Sequence, residues 1–239
     1  MRNYLFIFLL LPQFVFAVAQ SDSSKQAPHS YAGLDVGIGF TPYSSSVNSG
    51  WLYYLKPGYS INLTGRAGLF HSGFGIEGRL SFWSNTFDMS KYMSDAYGAQ
   101  TAVSVSYGGF YQVTTLAGPS YMVSFNKVSL ELRALGGMQL LTLPNNETQI
   151  TGPYPQPQYT DTYTYKTDVA FAFDGGICLG YAVSKKLSAT FNIDMLVASV
   201  HYDQTEYKDY HLGVDYTYFR SYTANITMVG ATIGVYYRF

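Results

Sequence analysis

Between residues 201 and 211 the chain gathers His201, Asp203, Glu206, Asp209 and His211. Imidazoles and carboxylates are metal ligands. Their spacing here fits no named metal site, so the reading is solvated charge in a loop. His71-Ser72 could begin a nucleophile–base pair, but it falls in a short turn, at the opposite end from the long loops. Cys178 is the single cysteine, which excludes an intrachain disulfide framework and a cysteine zinc site. It reads as a small apolar filler. No glycine-rich phosphate loop and no basic patch is present. No cofactor is expected, and a net charge of −1 gives no reason to expect a nucleic-acid partner.

A second set of charges is more regular. Asp35, Arg66, Glu77, Arg79, Glu131, Arg133, Asp174, Asp194 and Arg238 lie in runs where polar or small residues alternate with apolar ones. Each falls on the polar side of its run, and no charge falls on the apolar side. Five carboxyls and four guanidinium groups can form ion pairs, and arginine suits this because its planar fork binds carboxylates bidentately. Near-cancellation is what a closed interior requires, since an unpaired buried charge is costly.

The elements that must carry these charges are strands, because successive side chains of a strand point to opposite faces. Eight amphipathic runs are legible. Leu34, Val36, Ile38 and Phe40 form the apolar face of the first, and Tyr59, Ile61 and Leu63 that of the second. Phe74, Ile76, Leu80 and Phe82 follow, then Val113 to Phe125, Val128 to Met138, Val169 to Val183, Leu187 to Val197, and the last run into Phe239. Three connections are short (71–73, 125–127, 184–186) and four are long (roughly 41–57, 86–106, 142–167 and 201–222). That rhythm, with an even strand number, predicts an all-β, eight-stranded antiparallel up-and-down transmembrane barrel with both mature termini on the short-turn side.

The parity alone does not say which face is inside. The polar face is rich in Gly, Ala and Ser with charges of both signs, which describes a cramped interior. The other face is continuous and aliphatic, which suits lipid. Aromatics gather at both strand ends: Phe40, Tyr43, Trp51, Tyr53, Tyr54, Phe82, Trp83, Phe110 and Tyr111 toward the long loops, and Phe70, Phe74, Tyr121, Phe125, Tyr181, Tyr237 and Phe239 toward the short turns. Two such girdles match the two interfaces of a bilayer. Only 12% of the 239 residues are charged, about half the share in soluble domains, and 18% are aromatic.

Arg2, the apolar stretch Tyr4 to Leu11 and the small-x-small site Ala17-Val18-Ala19 predict a cleaved signal peptide over 1–19 and a barrel domain over 20–239. The final stretch "VGATIGVYYRF" places Ala231, Ile233, Val235, Tyr237 and Phe239 on one face. With it the chain resembles the small outer-membrane β-barrel proteins of Gram-negative bacteria, the porin-like and OmpX/OmpA-like group. The resemblance implies that these five residues form a C-terminal insertion signal for the barrel-assembly machinery, in a protein of the cell outer membrane.

One barrel hosts many functions, so the fold carries no activity by itself. The residues favour a non-enzymatic barrel with a charge-plugged lumen and long extracellular loops for surface contact or envelope integrity. Its partners are then outer-membrane lipid and an extracellular partner at the tyrosine-rich loops. A narrow porin-like channel is the alternative, and a lipid- or lipopolysaccharide-modifying enzyme the second. The Pro-, Tyr- and Thr-rich segment from 142 to 167 reads as a stiffened hairpin above the membrane.

Overall fold

A computed structural model of the chain describes residues 30–41, 55–69, 73–97, 102–107, 109–143, 145–151, 159–210, 213 and 215–239. The expected signal peptide lies outside the described residues, as do Tyr43, Trp51, Tyr53, Tyr54, Phe70, His71, Ser72 and His211. Among the described residues no helix is long and apolar enough to cross a membrane.

Among the described residues there are eleven strands and one helix: β1 Tyr31–Phe40, β2 Gly58–Gly68, β3 Phe74–Asn85, α1 Met89–Tyr97, β4 Ala102–Tyr107, β5 Phe110–Phe125, β6 Val128–Thr142, β7 Asn146–Thr151, β8 Tyr159–Thr167, β9 Val169–Ala182, β10 Leu187–Tyr210 and β11 Tyr216–Arg238. Eight of them close a ring in the order β1, β2, β3, β5, β6, β9, β10, β11, every neighbour antiparallel. Pairing of β1 with β11 makes the seam, with Tyr31 opposite Arg238 and Phe40 opposite Val229. Closure removes the unpaired edges that no strand can leave open in lipid. The eight ring strands are the eight runs of alternating sequence.

The short turns follow from local chemistry. Gly73 has a φ of 82° and Asn126 a φ of 55°, a left-handed conformation that glycine adopts freely and asparagine tolerates. A Cβ at Gly73 would also stand 2.4 Å from the Met122 carbonyl oxygen. Helix α1 starts where the Asp88 carboxylate accepts a hydrogen bond from the Lys91 backbone N–H, 3.2 Å away.

The outer face of the ring is a belt of exposed aliphatic and aromatic side chains. On β10 it runs from Leu187 through Phe191, Ile193 and Met195 to Val197, all between 39% and 52% exposed. Those ten steps, at ~3.3 Å each and a tilt of ~40°, rise ~25 Å, the height of a bilayer's apolar band. Phe74, Tyr121, Phe125, Tyr181, Tyr237 and Phe239 stand exposed at one margin, and Phe40 and Tyr111 at the other.

The long connections are not simple loops. Strand β10 is 24 residues and β11 is 23, against the ~9–11 that cross a bilayer. Their outer parts stay paired through Tyr202↔Tyr222 to Lys208↔Tyr216. Beyond the belt, β8 adds to β10 from Tyr202↔Thr167 to Tyr210↔Tyr159, β7 adds to β8, and β4 adds to β7. A five-stranded antiparallel sheet, β11-β10-β8-β7-β4, therefore stands above the barrel wall. The expected hairpin between 142 and 167 is β7–β8. The expected loop at 201–222 is instead, over its described residues, a continuation of two strands: "HYDQTEYKDY" and "YTYFRSYTAN" pair with each other from His201↔Thr223 to Lys208↔Tyr216.

Two girdle assignments are corrected. Trp83 is 4% exposed and Phe110 is 1% exposed, both inside the ring. Their parity is that of Arg79 and Gln112, so the pleat sends them inward. The Trp83 ring fills the space left by two glycines: a Cβ at Gly39 would meet it at 2.0 Å and one at Gly230 at 2.4 Å.

Candidate functional site: the barrel lumen and the sheet above it

The lumen is built in storeys. Lowest, near the short turns, Tyr31 and Tyr236 stack with ring centroids 4.4 Å apart, beside Met122 and Cys178. The Tyr31 hydroxyl lies 2.8 Å from Glu131 Oε2 and 3.2 Å from Glu77 Oε2. Arg66, 1% exposed, reaches Glu131 Oε1 at 2.9 Å through Nε. The same Nε is 2.8 Å from Ser120 Oγ, and Nη2 donates to the Gly73 carbonyl at 2.7 Å, which ties the network to a turn.

Above this comes the densest charge cluster. Arg79 Nη1 contacts Asp174 Oδ2 at 3.1 Å and Asp194 Oδ1 at 3.0 Å, and Nη2 contacts Glu77 Oε1 at 3.1 Å. Arg133 contacts Asp194 Oδ1 at 2.6 Å through Nη2 and at 3.0 Å through Nε, with Glu77 Oε1 3.6 Å from Nη1. Its Nη2 also donates to Asn192 Oδ1 at 3.1 Å. The pairs span from β3 to β9 and β10, across the bore.

Asp35 is satisfied differently. Its carboxylate accepts from the Tyr236 hydroxyl at 2.9 Å, Asn192 Nδ2 at 2.8 Å, Thr190 Oγ1 at 3.1 Å and Thr64 Oγ1 at 3.5 Å. It has no arginine within salt-bridge distance among the described residues. Arg238 stands apart from the cluster as well. It is half-buried at the foot of β11, its backbone N–H donating to the Lys186 carbonyl at 2.8 Å. No ion pair of its side chain occurs among the described residues. The register explains this: Arg238 faces Tyr31 at the rim, below the charges. Three guanidinium groups therefore meet four carboxyls, with Asp35 held by neutral donors, where the sequence suggested four against five.

The upper lumen is not what parity alone suggests. Inward positions turn apolar above Asp194 on β10 and above Gly230 on β11. Leu196, Ala198, Val200, Met228, Ile226 and Ala224 join Trp83, Phe110, Leu116, Leu135, Leu141 and Leu143 in one buried cluster. The charged storey is thus roofed by hydrocarbon. Tyr31, Tyr236, Asn192 and Thr190 serve the network although sequence reasoning did not select them. Their shared parity with the charges was the available signal.

The sheet above the wall has two unlike faces. Cross-strand register puts Tyr202, Glu206, Lys208 and Tyr210 on one side with Tyr216, Tyr218, Arg220 and Tyr222, and with Tyr159, Asp161, Tyr163 and Tyr165. Thr160, Thr162, Thr164, Thr205, Thr217 and Thr223 share the other. On the tyrosine face Lys208 Nζ lies 3.1 Å from Glu206 Oε1 and 3.7 Å from Asp161 Oδ2, and 5.7 Å from the Tyr159 ring centroid. Burial, opposed by Lys208, pushes the Asp161 carboxyl above its ordinary pKa. Lys208 is itself raised: the Glu206 hydrogen bond and Asp161 outweigh desolvation.

The loop set is divided by the same pleat. His201, Asp203 and Asp209 point to the threonine face and Glu206 to the tyrosine face. Asp203 Oδ1 accepts from Ser221 Oγ at 2.6 Å, and His201 Nε2 is 3.9 Å from it. No group of three or more metal-ligating side chains occurs among the described residues.

A closed eight-stranded ring, aliphatic outside over a bilayer's height and ion-paired inside, defines a transmembrane β-barrel of the outer-membrane type. No family model and no curated protein sequence matches the chain. Solved structures with a similar chain path include Ail, the attachment invasion locus protein of Yersinia pestis, at 13% identity and a TM-score of 0.42, covering 90% of this chain and all of that one. A major outer membrane protein from Thermus thermophilus is similar at 11% identity and a TM-score of 0.46, covering 88% and 99% of the two chains. Neisserial surface protein A is similar at 12% identity and a TM-score of 0.43, covering 88% and 97%.

Proposed function

We propose that the protein is a non-enzymatic surface protein of the outer membrane, whose barrel anchors a tyrosine-faced sheet for contact with an extracellular partner. The observation that carries this is the five-stranded sheet itself. A barrel that only sealed or stiffened the envelope has no use for two strands continued far past the belt. Tyrosine supplies contact area and a hydroxyl at low entropic cost. Tyr216 and Tyr218 are 48% and 42% exposed. On this reading both mature termini are periplasmic, the sheet is extracellular, and outer-membrane lipid covers the belt. The outward residues Ala231, Ile233, Val235, Tyr237 and Phe239 are then the strand that the assembly machinery reads.

The ion pairs and the apolar roof speak against the narrow channel, because together they fill the bore. The division of His201, Asp203 and Glu206 between faces speaks against a metal-dependent enzyme built on them. The test is binding by whole cells that carry either the unmodified protein or Tyr216→Ser with Tyr218→Ser. Attachment to host cells or matrix-coated surfaces should fall at least several-fold in the variant at equal surface amount. Equal attachment by the variant and by cells lacking the protein would reject the reading.

A further inference from the structure

The two margins of the belt differ in charge. Toward the long connections and above them, cations stand beside carboxylates: Lys56 Nζ lies 3.4 Å from Asp88 Oδ2, and Lys208 is held by Glu206 and Asp161. Toward the short turns, the charged side chains outside the lumen are Lys127, Lys185, Lys186 and Arg238, and no side-chain carboxylate accompanies them among the described residues. Glu131, near Lys127 in sequence, points into the lumen, where Arg66 Nε lies 2.9 Å from it.

Backbone hydrogen bonds gather the four cations into one sector. The Ala182 N–H, at the foot of β9, donates to the Lys127 carbonyl at 2.7 Å. In the next turn the Lys186 and Leu187 N–H groups donate to Ser184 Oγ at 3.2 Å and 3.1 Å. The Arg238 N–H then donates to the Lys186 carbonyl. The cations therefore follow one another along the feet of β6, β9, β10 and β11, three strand spacings or about 15 Å in all. All three lysines are exposed. Lys186 Nζ lies 5.8 Å from the centroid of the Tyr237 ring, a cation–π contact. Tyr237 belongs to the outward set, so this ammonium group stands on the lipid side of the wall. Phe125, Tyr181, Val183 and Leu187 are exposed on the same side. Aromatic rings at a belt's margin mark headgroup depth, and a lysine's long stem lets its head meet the phosphates there.

We propose that this sector is a binding site for an anionic phospholipid in the leaflet on the short-turn side. Ammonium groups donate charge-assisted hydrogen bonds to phosphate oxygens. Clustered cations beside a bilayer attract anionic lipid, each adding to the last. A zwitterionic headgroup offers the same phosphate, but its own ammonium is repelled by four neighbouring cations. The acyl chains then lie against Tyr181, Val183 and Leu187, a contact that a soluble anion cannot make. Binding here depends on the belt's seat in the bilayer and is independent of the tyrosine-faced sheet at the other end.

The experiment is native mass spectrometry of the folded barrel, released from detergent micelles that hold phosphatidylglycerol and phosphatidylcholine in equal amounts with identical acyl chains. The unmodified barrel should retain phosphatidylglycerol over phosphatidylcholine by about tenfold. Lys127→Gln with Lys185→Gln and Lys186→Gln should bring the two lipids within about twofold of each other, whereas arginine at the same three positions should keep the preference. Lys56→Gln with Lys166→Gln, toward the long connections, should keep it as well. Equal retention of both lipids by the unmodified barrel overturns the proposal, and so does a preference that survives in the triple glutamine variant. Loss of the preference in the Lys56→Gln, Lys166→Gln variant would put the lipid at the opposite margin and also overturn it. Glycerol 3-phosphate in large excess should leave the lipid bound; its displacing the lipid would identify a phosphate site that needs no acyl chain and overturn the assignment to lipid. Gel mobility of unboiled samples reports folding of the variants. Should the triple variant not fold, salt decides: raising ammonium acetate from about 0.1 M to about 1 M shortens the screening length from about 10 Å to about 3 Å, and the unmodified barrel's preference should fall several-fold. A preference unmoved by salt overturns the proposal.

Discussion

Arg79 and Arg133 look equivalent in sequence, each two residues after a glutamate, yet the structure makes their removal unequal. Arg79→Ala strips Asp174 of its arginine: Asp174 contacts Nη1 of Arg79 at 3.1 Å, and no other salt-bridge partner of it occurs among the described residues. Asp194 and Glu77 keep Arg133, at 2.6 Å and 3.6 Å. Arg133→Ala orphans neither carboxylate, because Arg79 holds Asp194 at 3.0 Å and Glu77 at 3.1 Å. Leaving a buried charge without its partner costs about 3–5 kcal/mol. Losing one of several charged hydrogen bonds costs about 1.5–3 kcal/mol. Arg79→Ala should therefore be the worse by about 2 kcal/mol. Adding Asp174→Ala to Arg79→Ala should restore part of the loss, because the orphaned charge goes with it. Reversible urea unfolding from lipid vesicles, followed by tryptophan fluorescence and by gel mobility of unboiled samples, measures all of these. If the charges stood in bulk-like water, each pair would be worth about 0–1 kcal/mol. Equal, near-silent effects of both substitutions, or no recovery in the double variant, would refute the reasoning.

Other consequences are open to test. Gly230→Ala drives a methyl into the Trp83 ring at 2.4 Å, so it should lower stability, and Trp83→Leu in the same chain should recover part of it in the same unfolding assay. Deleting Phe239 should abolish heat-modifiable barrel in membranes, whereas Arg238→Ala should leave most of it, since Phe239 is in the outward, lipid-side set and Arg238 is outside the ion-paired cluster. In planar bilayers the unmodified protein should show ion conductance near background, and a large stable single-channel step would overturn the plugged lumen. The raised Asp161 carboxyl implies that its charged form is penalised in the folded sheet. Docking of β8 on β10 should tighten as pH falls through the folded pKa of Asp161, and Asp161→Asn should remove this dependence, as read by amide exchange of β8.

The alternation in the sequence determined the ring. A pleat has period two, so Leu187 to Val197 or Val128 to Met138 can bury only one side, and the choice of side follows from where every charge sits. Inward placement of Asp35, Arg66, Glu77, Arg79, Glu131, Arg133, Asp174 and Asp194 was legible for that reason. Alternation says nothing about height, however, and tertiary structure alone decided what lies at each level. Tilt and register place Arg238 at the rim rather than among the carboxyls, stack Tyr31 on Tyr236, and send Trp83 into the space of Gly39 and Gly230. The same blindness hid the sheet above the barrel. Tyr202 to Tyr210 lacks the apolar alternation of a bilayer strand and reads as a loop, yet β8 and β11 pair along it. A strand outside the bilayer needs no apolar face toward lipid, so only its partners reveal it. Partners distant in sequence, such as Asp174 and Arg79, meet because the ring closes, and ring closure is a property of all eight strands at once.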